Sequence, residues 1–291
     1  SLYDYRSVVT KYNNPTGTLS TWYEGAEVGE IWGYTVNDLF RTKEEVDDYL
    51  SRVDLSHIAA HWQTGDVKYE DINGDGKVNN GKNTVDDHGD YSIIGNTEPR
   101  FQYTISLGAS YKGFDFSMLW KGVAKKDIYF ASGSNMFWGF MPGWWESCLT
   151  PEHLDYFRDQ PGTKYSGLYE GEANINTDAY YPRPYLNYSE DQKNKMYPNT
   201  RYLQNGAYLR LQNLQFGYSL PKNVISKMHL EKFRIYFSGE NLVTFSHMPK
   251  GVDPIAPVGF GEGGNFYGGG AVGRMTYGAD RVFSFGVTVT Y

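Results

Sequence analysis

The sequence predicts an all-β fold, an antiparallel transmembrane β-barrel of which this chain holds only a part. Three observations carry that reading. Several runs of about ten residues alternate strictly between apolar and polar side chains, the two-residue period of a sheet with one apolar face. Short turns between these runs alternate with very long connections, near 122–207 and 245–280, which is how outer-membrane barrels are built. The composition suits such a molecule: 26 Tyr, 16 Phe and 7 Trp for half-buried pleated surfaces, and 33 Gly and 12 Pro for turns, among 291 residues.

Taken in chain order, residues 25–35 (GAEVGEIWGYT) are a weak strand candidate. Thr42-x-x-Glu45 is a capping box opening the helix KEEVDDYLSRV. Phe101, Tyr103, Ile105, Leu107, Ala109 and Tyr111 alternate with Gln102, Thr104, Ser106, Gly108 and Ser110. A Lys112-Gly113 turn leads to a second strand, where Phe114, Phe116, Met118 and Trp120 oppose Asp115, Ser117 and Lys121. Thr150 followed by Pro151 reads as an N-cap with proline at the first helical position, opening PEHLDYFRDQ. Over 208–219 the apolar face switches from Leu209/Leu211 to Leu214/Phe216/Tyr218, which places a bulge at Gln212-Asn213. A connection over 221–231 precedes Phe233, Ile235 and Phe237, which alternate with Arg234, Tyr236 and Ser238. The chain closes on VFSFGVTVTY (282–291), with Phe283, Phe285, Val287, Val289 and Tyr291 on one face.

About six strands cannot close a membrane barrel, whose smallest members have eight, and open edges would be left exposed. The rest of the wall is therefore expected elsewhere, and the start at Ser1-Leu2-Tyr3, with no Met or signal peptide, is read as part of a longer chain. No run of 18 apolar residues occurs, which excludes a membrane-spanning helix but not barrel strands of about 9–11 residues. A net charge of −7 with no basic run argues against nucleic acid. The single cysteine, Cys148, allows neither an internal disulfide nor a thiolate metal site.

One motif carries specific chemistry. Asp71-Ile72-Asn73-Gly74-Asp75-Gly76-Lys77 matches the first half of an EF-hand-type loop: oxygen ligands at positions 1, 3 and 5, a glycine at 6, and the Lys77 carbonyl at 7. The twelfth position is Lys82, so the missing carboxylate must come from Asp86, Asp87 or Asp90. Calcium as a structural clamp competes with a metal-free Asx-turn loop. Gly259-x-Gly261-x-x-Gly264 copies a dinucleotide fingerprint in letters, but no strand precedes it and no helix follows. His57 and His61 lack a third ligand and the zincin glutamate, and no nucleophile elbow is present, so the sequence argues against an enzyme. The aromatic runs MFWGFMPGWW (136–145) and DAYYPRPYLNY (178–188) suit ligand stacking, partner contact or loop packing alike.

The ordered series GEIWGYTVNDLFRTKEEV, GDVKYEDINGDGKV, IIGNTEPRFQYTISLGASYKGFDFSMLWKG, YLRLQNLQFGYSLPK, FRIYFSGENLVTFS and the terminal strand resembles the C-terminal third of SusC-like TonB-dependent transporters. The resemblance implies a 22-stranded barrel of which this chain supplies about the last six strands, with the plug and the first strands absent from it. It implies an outer-membrane importer of oligosaccharides or peptides in Bacteroidetes, working with a SusD-like surface lipoprotein as lid and with TonB through the plug. Asp71, Asn73 and Asp75 match the family's calcium-loop pattern, and anchoring on Ile93-Ile94-Gly95 puts Asp90 where its later acid stands. The competing expectation is a soluble, calcium-stabilised glycan-binding β-module.

Overall fold

A computed structural model describes residues 1–130, 135–139, 149–185, 188–250, 252–255 and 279–291. Cys148, most of the 136–145 aromatic run and the Gly259/Gly261/Gly264 pattern lie outside the described residues. The strands are β1 (Leu2–Tyr3), β2 (Glu30–Tyr34), β3 (Val36–Leu39), β4 (Val67–Tyr69), β5 (Tyr91–Asn96), β6 (Arg100–Tyr111), β7 (Phe114–Lys125), β8 (Asp127–Ile128), β9 (Gln204–Asn205), β10 (Tyr208–Ser219), β11 (Lys232–Ser246) and β12 (Val282–Thr290). The helices are α1 (Lys43–Leu50), α2 (Asn135–Trp138), α3 (Tyr188–Gln192) and α4 (Lys222–Ile225).

Six strands form one antiparallel sheet in the order β1-β6-β7-β10-β11-β12. Its long members run 12 residues in β6, β7 and β10 and 15 in β11, well beyond the usual 5–6. Lys112 and Gly113 both take positive φ, 47° and 88°. That is the twist-matched two-residue hairpin, and Gly113 supplies the left-handed backbone at no steric cost. The β10 register shifts between Leu211 and Asn213 against both neighbours, so the extra residue is Gln212, where the apolar face switched.

Three connections, 4–99, 126–207 and 247–281, leave the sheet at one end, while the Lys112-Gly113 turn and the 220–231 connection lie at the other. The small sheets β2-β5, β3-β4 and β8-β9 belong to the long connections. So does the hydrophobic core, which clusters Tyr34, Phe40, Tyr69, Phe130, Trp138 and Tyr202. A single-layer sheet has no interior of its own, so burial moves to where loops stack on each other.

α1 forms where its cap predicts. The Thr42 hydroxyl accepts from the Glu45 amide at 3.2 Å, while the Glu45 carboxylate turns back to the Arg41 amide at 2.8 Å, one residue earlier than the standard box. Buried Val46 docks this helix together with Tyr49, whose ring meets Phe40 at 5.6 Å and whose hydroxyl donates to the Tyr69 carbonyl at 2.6 Å.

Two expected elements come out differently. The sixth wall strand is β1, not residues 25–35: the latter shorten to β2 and pair with β5 away from the wall. Buried Ile31, Trp32 and Tyr34 pull β2 into the loop core, where an apolar strand finds more contact than on the wall. The helix expected over PEHLDYFRDQ is a single 3-10 turn, Pro151–Leu154. Beyond it Phe157 is buried, its amide donates to the Tyr181 carbonyl, and Arg158 bridges to Asn176, so extended pairing replaces the helical ladder.

Candidate functional site: a barrel wall and the cap folded on its end

Strand register aligns the apolar side chains into a continuous band. Leu107 stands opposite Met118, and Met118 opposite Leu214. Tyr111 faces Phe114, Phe114 faces Tyr218, and Tyr218 faces Ile235. Phe216 lies between Phe116 and Phe237, and Phe237 beside Phe285. Many of these large apolar residues are exposed, Phe285 at 82%, because this face has no protein layer over it. A band of this kind fits hydrocarbon, the one solvent in which it costs nothing. The other face carries Thr104, Ser106, Ser117, Gln215, Ser238 and Thr288. There Arg234 grips Asp115 with two hydrogen bonds, 2.9 and 2.5 Å, across the intervening strand β10. Gly217 sits beneath the pair, and a Cβ at that position would collide with both side chains. Nearer the long connections, Arg210 is buried and donates to Thr244 and, at 2.6 Å, to Asp253. Asp253 also takes the Ile255 and Ala279 amides, which ties the 247–281 connection to the wall at both ends.

The cap is made by connections 4–99 and 126–207 together. The Tyr34 amide donates to the Pro198 carbonyl at 2.9 Å, and the Thr200 amide to the Tyr34 carbonyl at 3.1 Å. The Tyr34 ring meets those of Tyr91, Tyr197 and Tyr69 at 4.9, 5.5 and 5.7 Å. Trp138 packs on Tyr202 at 4.9 Å, and Phe137 on Phe130 at 4.8 Å. Within the 178–188 run, Tyr181 is buried and Tyr180 packs edge-on against Tyr181 and Tyr202. These two rings are packing residues rather than an open stacking platform; Leu186 and Asn187 lie outside the described residues.

A buried polar cluster locks the two connections. Asp66, from the first, receives the Lys193 ammonium at 2.8 Å, the Tyr185 hydroxyl at 2.6 Å, the Asn194 amide at 3.1 Å and the Gln63 backbone amide at 2.8 Å. Lys193 also bonds the His61 carbonyl and Glu190, beneath the Trp62 and Tyr185 rings. Burial, reinforced by the Asp66 charge, pushes the Tyr185 phenol far above its ordinary range. Beside this cluster Lys195 pairs with Asp191, both fully buried. Burial raises the Asp191 carboxyl and lowers the Lys195 ammonium despite the pairing. Tyr185 lies in the 178–188 aromatic run; the charged members of the cluster carry no motif in the sequence. The stretch SEDQKNKMYP reads as solvated loop, and its Asp191–Lys195 spacing as an ordinary surface pair.

The 71–77 loop is closed by its own side chains. Asp71 accepts the Gly74, Asp75 and Gly76 amides, Asn73 accepts the Asp75 amide, and Asp75 accepts the Lys77 amide. Fully buried Asp90 reaches back to this loop, taking the Ile72 and Asn73 amides on one oxygen and Asn79 on the other. Asp87 instead faces Lys82 at 3.4 Å, and Asp86 is exposed. Among the described residues no three His, Cys, Asp or Glu side chains stand together as a metal cluster. His57 lies against Tyr197 rather than on a helix with His61.

No family model matches the chain. Among curated proteins, TonB-dependent receptor P3 of Formosa agariphila is 25% identical over 240 residues, covering 80% of this chain and 19% of that protein. TonB-dependent receptor P26 of the same organism is 23% identical over 274 residues, covering 92% of this chain and 23% of that protein. The chain thus spans about a fifth of the length of the curated relatives it matches. Among solved structures, the RagAB peptide transporter superposes with a TM-score of 0.54 at 18% identity, over 97% of this chain and 25% of that one. The RagAB peptide importer in its open-open state gives 0.50 at 17%, over 96% and 24%. With the lipid-type band, the one-ended connections and relatives aligned along most of its length, the chain has the fold of part of a TonB-dependent transporter barrel and is similar in sequence to TonB-dependent receptors.

Proposed function

We propose that this chain forms wall and cell-surface loops of an outer-membrane active importer of the SusC type. The whole protein would take up oligosaccharides or peptides beneath a SusD-like surface lipoprotein, driven by TonB through a plug supplied outside this segment. One observation carries the reading: a continuous apolar band on one face of a sheet whose long connections all leave it at one end. Transport is what such a wall serves, with the cap as the surface that meets cargo and lid. The peptide transporter among its structural neighbours favours peptide cargo over sugar. The test is uptake of labelled oligopeptides and oligosaccharides by cells lacking the full-length gene and by complemented cells, together with co-purification of a surface lipoprotein. Uptake restored by the gene supports the reading; a full-length product that stays monodisperse in buffer without detergent overturns it in favour of a soluble module.

A structural calcium ion belongs to the same proposal. Asp71, Asn73, Asp75 and the Lys77 carbonyl would hold it, and the donor set is the hard-oxygen type calcium prefers. Asp90 is the later acid of this proposed set: it is fully buried and accepts the Ile72, Asn73 and Asn79 amides, which ties it to the loop.

A further inference from the structure

The charge of this segment is polarised along the wall. Residues 111–115, 219–234 and 287–291 make up its short-turn end. They carry five cations, Lys112, Lys222, Lys227, Lys232 and Arg234, against two acids, Asp115 and Glu231. That end is therefore net +3, while the other 22 Lys and Arg stand against 32 Asp and Glu, net −10. Arg234 and Asp115 neutralise each other on the polar face of the wall. Lys112, Lys222 and Lys227 stand exposed on the turns, and none forms an ion pair with a described residue. The outermost row of the apolar band lies beside them: Tyr111 is 71% exposed and Tyr291 88%, with Phe114 and Tyr218 between the strands. The Lys112 ammonium lies 5.1 Å above the Tyr111 ring, so its stem already follows the apolar edge.

An aromatic row with a polar tip settles at headgroup depth, and a lysine stem laid along it carries the ammonium to phosphate level. A cluster of uncompensated lysines at that depth recognises negative charge spread over a surface. We propose that the short-turn end of this wall is a docking surface for anionic phospholipid headgroups, held by Lys112, Lys222 and Lys227 beside Tyr111 and Tyr291. It rests on the outer-membrane reading and adds to it a preferred lipid class and the leaflet on the short-turn side.

The test uses the full-length protein, reconstituted from detergent into vesicles of equal phosphatidylglycerol and phosphatidylcholine, with the lipid retained by the repurified protein quantified. The wild type should retain phosphatidylglycerol in preference, by up to about fivefold per lysine at low salt. Added salt and the K112Q/K222Q/K227Q variant should each remove the preference, whereas K11Q/K164Q, in the long connections, should leave it intact. A wild type that inserts but retains both lipids equally overturns the docking surface alone, as does a triple variant that keeps the full preference. A wild type that enters neither lipid overturns the membrane reading and the docking surface with it.

Discussion

Replacing Lys193 by methionine should unlock the cap while leaving the wall intact. Methionine keeps the length and apolar stem of lysine but removes the ammonium that bonds Asp66 at 2.8 Å, Glu190 at 3.1 Å and the His61 carbonyl at 2.8 Å. Asp66, with no exposed surface, would then keep its charge without a counter-ion. Breaking a buried pair from one side costs about 3–5 kcal/mol. The Tyr185, Asn194 and Gln63 donors survive and hold the carboxylate, which places the expected cost near the lower end, about 3 kcal/mol. At 1.36 kcal/mol per decade this is a loss of about a hundredfold in the equilibrium against local opening. Amide hydrogen exchange on the full-length protein in detergent reads it directly. The amides of Val67, bonded to Asn194, and of Thr200, bonded to Tyr34, should exchange about a hundredfold faster, and those of β7 and β10 should not change. The D66N/K193M double variant removes both charges yet keeps a carbonyl acceptor for the Tyr185, Asn194 and Gln63 donors, and should regain part of the protection. Protection in K193M within twofold of wild type, or a double variant as damaged as the single, would refute a cap locked by this pair.

The neighbouring pair should behave in the opposite way. Burial already works against both charges of Asp191 and Lys195, so D191L/K195M should melt within about 1 kcal/mol of wild type or above it, while D191L alone should lose about 3 kcal/mol. Where the cap meets the wall, the Arg100 guanidinium holds Asp4 down at about 2 against its usual 3.8. Because the folded value lies below the unfolded one, this contribution is complete above about pH 4 and disappears as pH falls towards 2. Exchange of the Thr104 amide, bonded to the Ser1 carbonyl, should accelerate over that window in wild type and lose that dependence in D4N. For the 71–77 loop, chelation should lower the melting temperature of the wild-type cap and leave D71A/D75A unaffected; an indifferent wild type would sink the calcium proposal.

What could be read from the sequence alone was whatever has a local period or a local turn. Alternation in 101–111, 114–120, 233–237 and 282–291 specifies one apolar face per strand, since a register slip of one residue would invert it. The Gln212 bulge and the Lys112-Gly113 turn were equally local. α1 was legible because a cap is a contact three residues long. Tertiary structure decided what depends on partners far away in sequence. β2 pairs with β5 some sixty residues on and so leaves the wall to β1, and Phe157 chooses Tyr181 over a helix. Asp66 and Lys193, 127 positions apart, look solvated in sequence because their types usually are. Only the stacking of two long connections removes water from both at once, and a charge without water must find its opposite.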